Sequence, residues 1–238
     1  MPMPSANIDK NPVIGIIMLD TVFPRIPGDV GNPATFSFPV QYKVVKGADP
    51  KRVVIDADPQ LLQPFIQAAR SLESAGVKAI ATSCGFLAIF HQELVDAVDI
   101  PVFTSSLLQV RFVGEILKKG LKVGILTARS QSLTLQHLIG VGIQSYPLAI
   151  IGMDMAEEFS AVFIEGKKDI NTDKCRKEIV SAAKTLVASD PNIGAIVLEC
   201  TNMPPYARAI QDTVGLPVFD VVTMINYAYS SINKQIFA

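Results

Sequence analysis

Two stretches of the chain repeat one pattern, and this repeat constrains the fold more than any other feature. Each begins with an apolar run that ends on a cysteine. The first run is VKAIATSC, ending at Cys84, and the second is IGAIVLEC, ending at Cys200. Each continues through a helical-looking segment to a second short run, IPVF or LPVF. The two cysteines are 116 positions apart, and so are Pro101 and Pro217. A match that fixes a strand, a cysteine, a helix length and a following strand together indicates a duplicated β-α-β unit.

The cysteine of each unit stands where a strand turns into a helix. In open parallel sheets, ligands bind at the carboxyl ends of the strands. We therefore expect the two units to face each other, with Cys84 and Cys200 on opposite sides of one cleft.

The alternation of strands and helices restarts near the middle of the chain. The apolar run Val123–Leu126 mirrors Ile14–Ile17, and both runs are typical of strands buried on both faces. The alternation predicts an α/β fold of two similar lobes, each a mostly parallel sheet flanked by helices. We assign residues 1–103 plus 217–238 to the first lobe and residues 104–216 to the second, which requires the final helix to cross back to the first half.

A loop rich in proline and glycine follows the first strand, from Asp20 to Pro39. Long segments without periodicity are unusual inside a compact domain and often form lids or binding loops. The alternative is an ordered surface loop that its prolines shape. Beyond the loop, Val53–Ile55 is predicted to be the second strand, and a helix is predicted to begin at Pro59 and to end before Gly76.

Composition and charge exclude several classes of partner. The net charge is −1 and the chain has no run of Lys or Arg, which argues against nucleic acid and membrane surfaces as partners. Residues 1–11 are polar, are expected to be loosely held and show no signal-peptide pattern.

Because three cysteines make no disulfide framework, we expect reduced thiols in the cytoplasm. His91 and His137 have no second ligand nearby in sequence, so neither a metal nor another cofactor is expected. A homodimer is the default expectation for an enzyme of this kind.

Paired thiols at two helix N-termini suit proton transfer at carbon. The helix dipole and free N–H groups favour a thiolate, so we predict lowered pKa values for Cys84 and Cys200. One cysteine, as thiolate, can remove a proton from carbon while the other protonates the opposite face, which inverts a stereocentre without a cofactor. The alternative is that both are ordinary buried residues, but their matching positions favour function. Cys175, in the charged segment DKCRKE, has no counterpart and is interpreted as structural.

Polar groups beside the two cysteines form the candidate substrate site. The candidate substrate-binding residues are Thr82, Ser83, Gly85, Thr127, Thr201, Asn202 and Arg25. Their hydroxyl, amide and backbone N–H groups can bind a carboxylate and stabilise a developing enolate, although helix capping explains Thr201 almost as well. Arg25 is the one cation of the long loop, either closing onto a substrate carboxylate or solvated at the surface.

Two carboxylates stand close to this group in sequence. Asp20 ends the first strand, and we predict that it orients or deprotonates a thiol. Glu199 directly precedes Cys200, but alternation along a strand predicts that its side chain turns away from that cysteine.

These residues resemble the aspartate/glutamate/hydantoin racemase superfamily. The features that carry the resemblance are Asp20 after the first strand, Cys84 in TSCGF and Cys200 in ECTNMPPY. The segment ECTNMPP is similar to the Cys-Thr-His-x-Pro segment of glutamate racemases, with Asn202 in place of the histidine. The resemblance implies two α/β lobes related by pseudo-twofold symmetry, an active site between them, and cofactor-independent proton transfer by the paired cysteines.

The chain departs from the amino-acid racemases at positions that hold their substrate. Gly85 and Phe86 stand where those racemases have Asn-Thr, and Thr21 follows Asp20 where Ser-Gly is usual. Related superfamily members are maleate isomerases, in which a cysteine adds to a double bond, and arylmalonate decarboxylases, which keep one cysteine to protonate an enediolate. Retention of both cysteines disfavours the decarboxylase interpretation.

We predict a cofactor-independent racemase or epimerase of a small amino acid or related carboxylate, with Cys84 and Cys200 as the two acid/bases. The second hypothesis is a cysteine-dependent cis-trans isomerase or lyase of a small dicarboxylate. The third is a non-catalytic protein that binds a small molecule.

Overall fold

The apolar runs of the sequence form the strands of two parallel sheets in the computed structural model, which describes residues 13–234. The expectation for residues 1–11 lies outside the described residues. The strands of the first sheet are β1 (Ile14–Leu19), β2 (Val40–Val45), β3 (Ala79–Thr82) and β4 (Val102–Phe103). The strands of the second sheet are β5 (Lys122–Thr127), β6 (Leu148–Gly152), β7 (Ile193–Leu198) and β8 (Val218–Phe219).

The two sheets have the same topology. Their strand orders are β2-β1-β3-β4 and β6-β5-β7-β8, and each pair of neighbours is parallel. The same order in both halves is the arrangement expected of a duplicated unit. The predicted fold class, two similar α/β lobes with parallel sheets flanked by helices, is therefore confirmed.

Eight α-helices of the described residues flank the sheets. They are α1 (Leu62–Ser74), α2 (His91–Val95), α3 (Gln109–Ile116), α4 (Leu135–Gly140), α5 (Glu157–Phe163), α6 (Thr172–Ser189), α7 (Ala207–Val214) and α8 (Val221–Ile232). Short 3₁₀ turns lead into several of them, including Gly85–Phe90 before α2 and Pro204–Tyr206 before α7. All six residues of β1 are buried because helices cover both faces of its sheet.

The prediction of a second strand at Val53–Ile55 is wrong. This segment belongs to a helical turn, Lys51–Ile55, and the strand that pairs with β1 is β2. The edge strand β2 is mostly half-buried or exposed, so its sequence QYKVV lacks the continuous apolar run that marks the inner strands. A short apolar run such as Val53–Ile55 fits a buried helical turn equally well.

Each lobe receives its last helix from the other half of the chain. Helix α8 follows β8 of the second sheet but packs on the first sheet, where Met224 and Ile225 join a cluster with Ile16 and Ala81. Helix α3 follows β4 of the first sheet and contacts β5 and β7 of the second. Residues 217–238 were assigned to the first lobe. Within the described part of this range, 217–234, strand β8 pairs with β7 of the second sheet, whereas helix α8 lies against the first sheet.

A continuous apolar core joins the two lobes. One cluster of buried side chains runs from Phe65 and Leu87 of the first lobe to Val123 and Leu198 of the second. None of the helices in residues 13–234 combines the length and the apolar character that crossing a membrane requires.

Candidate active site

The carboxyl ends of β1, β3 and β7 border one buried cavity between the two sheets. Its lining includes Ser83, Cys84 and Gly85 from the first repeat and Cys200, Thr201 and Asn202 from the second. The space that the centre of a water-sized molecule can reach in it is about 30 Å³. The cavity therefore suits a small ligand, and it is where the duplicated units bring their two thiols together.

Cys84 stands at the junction between β3 and the 3₁₀ turn that leads into α2. Its backbone is extended (φ −153°, ψ 119°), as is usual for the residue that begins a helical turn. The backbone N–H of Leu87 donates to the carbonyl oxygen of Cys84 at 3.1 Å, and 8% of the residue is exposed. Cys84 lines the cavity, and the nearby N–H groups of Phe86 and Leu87 act to lower the pKa of its thiol.

Cys200 is held by a chain of polar contacts that crosses the cleft. Its thiol donates to Oδ1 of Asn202 at 3.6 Å, and Nδ2 of Asn202 donates to Oδ2 of Asp29 at 2.8 Å. Because Asp29 can only accept, it fixes which end of the Asn202 amide faces the sulfur. The position of the Cys200 thiol therefore depends on a residue of the loop between β1 and β2.

Both thiols have raised pKa values, which corrects the prediction that helix N-termini lower them. Burial raises the pKa of Cys84 to about 12, and the nearby Glu199 adds to the effect, while the backbone donors oppose it. Burial, again followed by Glu199, raises the pKa of Cys200 well above its usual value. Desolvation outweighs the local N–H groups because both sulfur atoms are buried by the surrounding protein. Both cysteines are neutral thiols in the free protein at pH 7.

Thr201 and Ser83 tie the two cysteine turns to each other. Oγ1 of Thr201 donates to the carbonyl oxygen of Ser83 at 2.5 Å, and Oγ of Ser83 accepts from the backbone N–H of Leu19 at 2.9 Å. These bonds use the hydroxyls that were predicted to bind substrate. Both residues line the cavity, but both hydroxyls are already hydrogen-bonded, that of Thr201 to the other cysteine turn and that of Ser83 to β1 of its own lobe.

The loop from Asp20 to Pro39 covers the cavity. Phe23 packs edge-to-face against Phe163 of the second lobe, with ring centroids 5.0 Å apart. Gly28 has φ +94°, and a Cβ there would lie 3.0 Å from Cα of Pro205, so the loop backbone lies directly against the turn after Cys200. Phe23 itself lines the cavity. The structure therefore shows an ordered loop that covers the cavity and is held by contacts across the cleft.

Arg25 lies in the cavity wall with its charge already partnered. Nη1 donates to Oδ1 of Asp29 and Nη2 donates to Oγ1 of Thr21, each at 2.9 Å. Its guanidinium carbon is 4.4 Å from the centroid of the Phe23 ring. The side chain is 14% exposed, so it is not a solvated surface arginine. It is positioned to meet a carboxylate that enters the cavity.

Three predicted site residues do not line the cavity of the described chain. Asp20 accepts from Lys46 Nζ at 3.2 Å and from the backbone N–H of Gly47 at 3.0 Å, so its carboxylate points away from both thiols. The prediction that Asp20 orients or deprotonates a thiol is corrected by this placement. Thr82 Oγ1 donates to the carbonyl oxygen of Thr104 at 2.6 Å, which links the end of β3 to the residue after β4. Thr127 Oγ1 donates to Oε2 of Glu199 at 2.7 Å.

Glu199 lines the cavity together with Cys200. Strand β7 ends at Leu198, so the side-chain alternation of a strand no longer applies to the next residue. The residue is fully buried, and burial raises its pKa to about 7 although Thr127 and the N–H of Ala128 oppose the shift.

Sequence reasoning also missed Asp29 and the aromatic wall formed by Phe23 and Phe163. Asp29 stands among glycines in a loop and meets Asn202 across 173 positions of sequence. No local pattern signals such a contact, because it depends on how the two lobes close.

The arrangement is suited to chemistry at a carbon atom beside a carboxylate. It offers two thiols, a partly buried guanidinium, a buried carboxyl group and walls that are mainly apolar. A carboxylate held by Arg25 would place its α-carbon between groups that can remove or deliver a proton.

Comparison with known proteins gives two consistent results. Residues 50–225 match the profile of the family described as Asp/Glu/Hydantoin racemase. Among solved structures, allantoin racemase from Klebsiella pneumoniae superposes with a TM-score of 0.65 at 13% sequence identity, over 92% of this chain and 88% of that one. At this identity the likeness concerns the fold.

Two curated relatives carry the name of a different reaction. Dimethylsulfoniopropionate lyase of Durusdinium sp. clade D is 30% identical over 225 residues, which cover 92% of this chain and 74% of that protein. Dimethylsulfoniopropionate lyase 7 of Emiliania huxleyi (strain CCMP1516) is 33% identical over 241 residues, which cover 94% of this chain and 70% of that protein.

Proposed function

Because the chain belongs to the Asp/Glu/hydantoin racemase family, we propose that a cysteine thiolate in its cavity removes a proton from the α-carbon of a small carboxylate. The reaction that we propose is an elimination, and the substrate is dimethylsulfoniopropionate or a close β-sulfonio carboxylate. The similarity to two lyases named for that substrate supports the reaction class. We therefore favour the second hypothesis, a cysteine-dependent isomerase or lyase, over the racemase. The reaction that we propose is the lyase reaction, and its substrate is a sulfonio carboxylate instead of a dicarboxylate.

The observation that carries the proposal is the character of the cavity that holds both thiols. Phe23, Phe86 and Phe163 line it, and Arg25 is the cation in its wall. A dimethylsulfonium group is cationic but donates no hydrogen bonds, so aromatic faces suit it as they suit quaternary ammonium groups. The ammonium group of an amino acid instead needs several hydrogen-bond acceptors when it is buried.

The proposed reaction needs one base and no cofactor. The carboxylate of the substrate pairs with Arg25. A thiolate takes a proton from the α-carbon, the electrons of that C–H bond form the carbon–carbon double bond, and the bond from the β-carbon to sulfur breaks. The products are acrylate and neutral dimethyl sulfide, and the proton stays on the thiol until it passes to solvent.

The first experiment is incubation of the purified protein with dimethylsulfoniopropionate. We expect dimethyl sulfide in the headspace by gas chromatography and equimolar vinyl signals of acrylate by ¹H NMR. A panel of amino acids, hydantoins and small dicarboxylates in D₂O runs alongside. Loss of an α-proton signal from one of those compounds, with no product from the sulfonium compound, would overturn the lyase and restore the racemase.

Single substitutions of the cysteines separate the two mechanisms. Elimination needs one base, so Cys84→Ser and Cys200→Ser should differ: the variant that lacks the base loses about 10²–10⁴-fold in kcat, and the other loses less. A two-base racemase loses inversion in both variants alike. Cys175→Ala is the matched control, because Cys175 lies in α6 and is not part of the cavity lining; its turnover should equal that of the unmodified protein.

A further inference from the structure

Glu199 is a buried carboxyl group that the elimination described above does not use. Its Oε2 accepts from Thr127 Oγ1 at 2.7 Å, whereas its buried Oε1 makes no hydrogen bond within residues 13–234. Buried polar atoms are almost always partnered, so this oxygen calls for an explanation. Glu199 lines the same cavity as Cys84 and Cys200.

The approach of Glu199 to the first cysteine turn depends on Gly85. A Cβ at Gly85 would lie 2.2 Å from Oε1 of Glu199 and 2.4 Å from its carbonyl oxygen. Only glycine permits this contact. Glu199 is thus bonded directly to Cys200 through the main chain and lies against the residue that follows Cys84. Amino-acid racemases have Asn at the position of Gly85. The glycine of this chain is therefore the substitution that makes room for the Glu199 carboxyl group.

The charged and titratable groups around Glu199 are few. The thiols of Cys84 and Cys200 interact with its charge, and Arg25 and Asp29 lie on the covering loop. Burial raises the pKa of Glu199 to about 7, so it exchanges its proton near neutral pH, whereas both thiols hold theirs. It is therefore the group in this wall whose proton affinity best matches a neutral working pH.

We propose that Glu199 accepts the proton of the catalytic thiol, so that the thiolate forms inside the closed cavity. The carboxylate of Glu199 takes the proton from Cys–SH, directly or through one water, to give the carboxylic acid and Cys–S⁻. The thiolate then removes the α-proton and becomes Cys–SH again, and Glu199 releases its proton to solvent. One proton leaves for each turnover, as the elimination requires. The assignment rests on the proposed thiolate chemistry but not on the identity of the substrate.

The variant that tests the assignment is Glu199→Gln, which keeps an acceptor for Thr127 and removes the titration. We expect kcat to fall by about 10²–10⁴-fold while KM changes little, and the rise of kcat with pH around neutrality to disappear. A variant with the wild-type rate and pH profile would refute the proposal.

Thiol alkylation gives a second readout that needs no substrate. Ionised Glu199 raises the pKa of both cysteines, so Glu199→Gln should increase the rate at which iodoacetamide labels them at pH 8 by about three- to tenfold. Mass spectrometry of the peptides resolves each site, and Cys175 serves as the internal reference. Faster labelling together with slower turnover is the expected result. A simple loss of structure would change labelling at Cys175 as well, and equal labelling of Cys84 and Cys200 before and after the substitution would contradict the placement of Glu199 beside them.

Thr127→Val is the matched variant that leaves Glu199 in place. The Thr127 hydroxyl stabilises the carboxylate, so its removal should raise the pKa of Glu199 and move the activity rise to higher pH, with the plateau of kcat largely retained. A lower plateau with no movement of the profile would mean that the carboxyl group serves only to pack the cavity. If dimethylsulfoniopropionate proves not to be the substrate, the alkylation experiment still tests the role assigned to Glu199. The dependence of kcat on pH is then measured with whichever carboxylate the protein converts.

Discussion

Burial controls the reactivity of the two cysteines at the residue scale. Desolvation raises the pKa of Cys84 and Cys200 more than the adjacent N–H groups lower it. A neutral thiol is a poor base, so the proposed elimination requires a thiolate to form when substrate is present. In that proposal the cationic sulfonium substrate would favour the ionised sulfur by its own charge, and Glu199 would accept the proton.

The buried carboxyl of Glu199 should also leave a mark on stability. Its pKa is about 7 in the folded protein and near 4.5 when exposed, so the folded state binds the extra proton between these values. The free energy of unfolding therefore falls as pH rises from about 4.5 to 7, by up to about 3 kcal/mol from this residue. The Glu199→Gln variant has no carboxyl group to titrate at this position, so it lacks this fall in the free energy of unfolding. Relative to the unmodified protein, the variant should gain stability from pH 5 to pH 8, measured by urea unfolding at both values.

Comparison of the two proteins at each pH cancels the other titrating groups, since these are shared. A difference in unfolding free energy that is the same at pH 5 and pH 8 would show that the pKa of Glu199 is ordinary.

At the scale of elements, the loop between β1 and β2 acts as part of the second lobe's active-site wall. Phe23 contacts Phe163, and Asp29 reaches Asn202 beside Cys200. Arg25 and Asp29 form a buried ion pair within the loop, and Arg25 also lines the cavity. The proposed pairing of Arg25 with the substrate carboxylate would therefore link substrate binding to closure of the loop.

Arg25→Lys tests this link. Lysine keeps the charge but lacks the planar fork that contacts Thr21 and Asp29 and would also meet a carboxylate. We expect KM for the carboxylate substrate to rise by about 10–100-fold, with a smaller change in kcat, in steady-state kinetics. Arg208→Lys is the control, because Arg208 is exposed on α7 and pairs only with Asp212 among the described residues. A fall in kcat at constant KM would assign Arg25 to the chemical step instead.

The inner strands and the cysteine turns could be predicted because their signals are local. Strand β1 is a continuous apolar run, and the spacing that Cys84 and Cys200 share reflects a repeated unit. The edge strand β2 escaped prediction because partial exposure breaks that run.

The contacts of the covering loop could not be predicted for a different reason. They join residues far apart in sequence and exist only once both lobes are folded, as the bond between Asp29 and Asn202 illustrates. The hydroxyls of Ser83 and Thr201 were predicted to bind substrate from their place beside the two cysteines. In the folded chain the Thr201 hydroxyl bonds to the first cysteine turn, and the Ser83 hydroxyl bonds to β1 of its own lobe.

At the scale of the whole molecule, the exchange of helices makes the two lobes depend on each other. Helix α8 covers one face of the first sheet, and α3 lies on the second. Neither sheet can bury both faces with the helices of its own half alone. The exchange also connects the end of β7, just before Cys200, to the segment that leads into α3, since Ser106 Oγ donates to the carbonyl oxygen of Leu198 at 2.6 Å.

A core substitution in α8 should therefore destabilise the entire molecule. Met224 is buried against the first sheet, and Met224→Ala should lower the free energy of unfolding by about 2–5 kcal/mol. Tyr227→Ala, on the exposed side of the same helix, is the control and should change it by less than about 0.5 kcal/mol. Scanning calorimetry should give one cooperative transition in each protein, shifted to lower temperature only in Met224→Ala. Two separate transitions, with the second-lobe transition unmoved, would mean that each lobe folds independently, and the cavity between them would then form only after both lobes had folded.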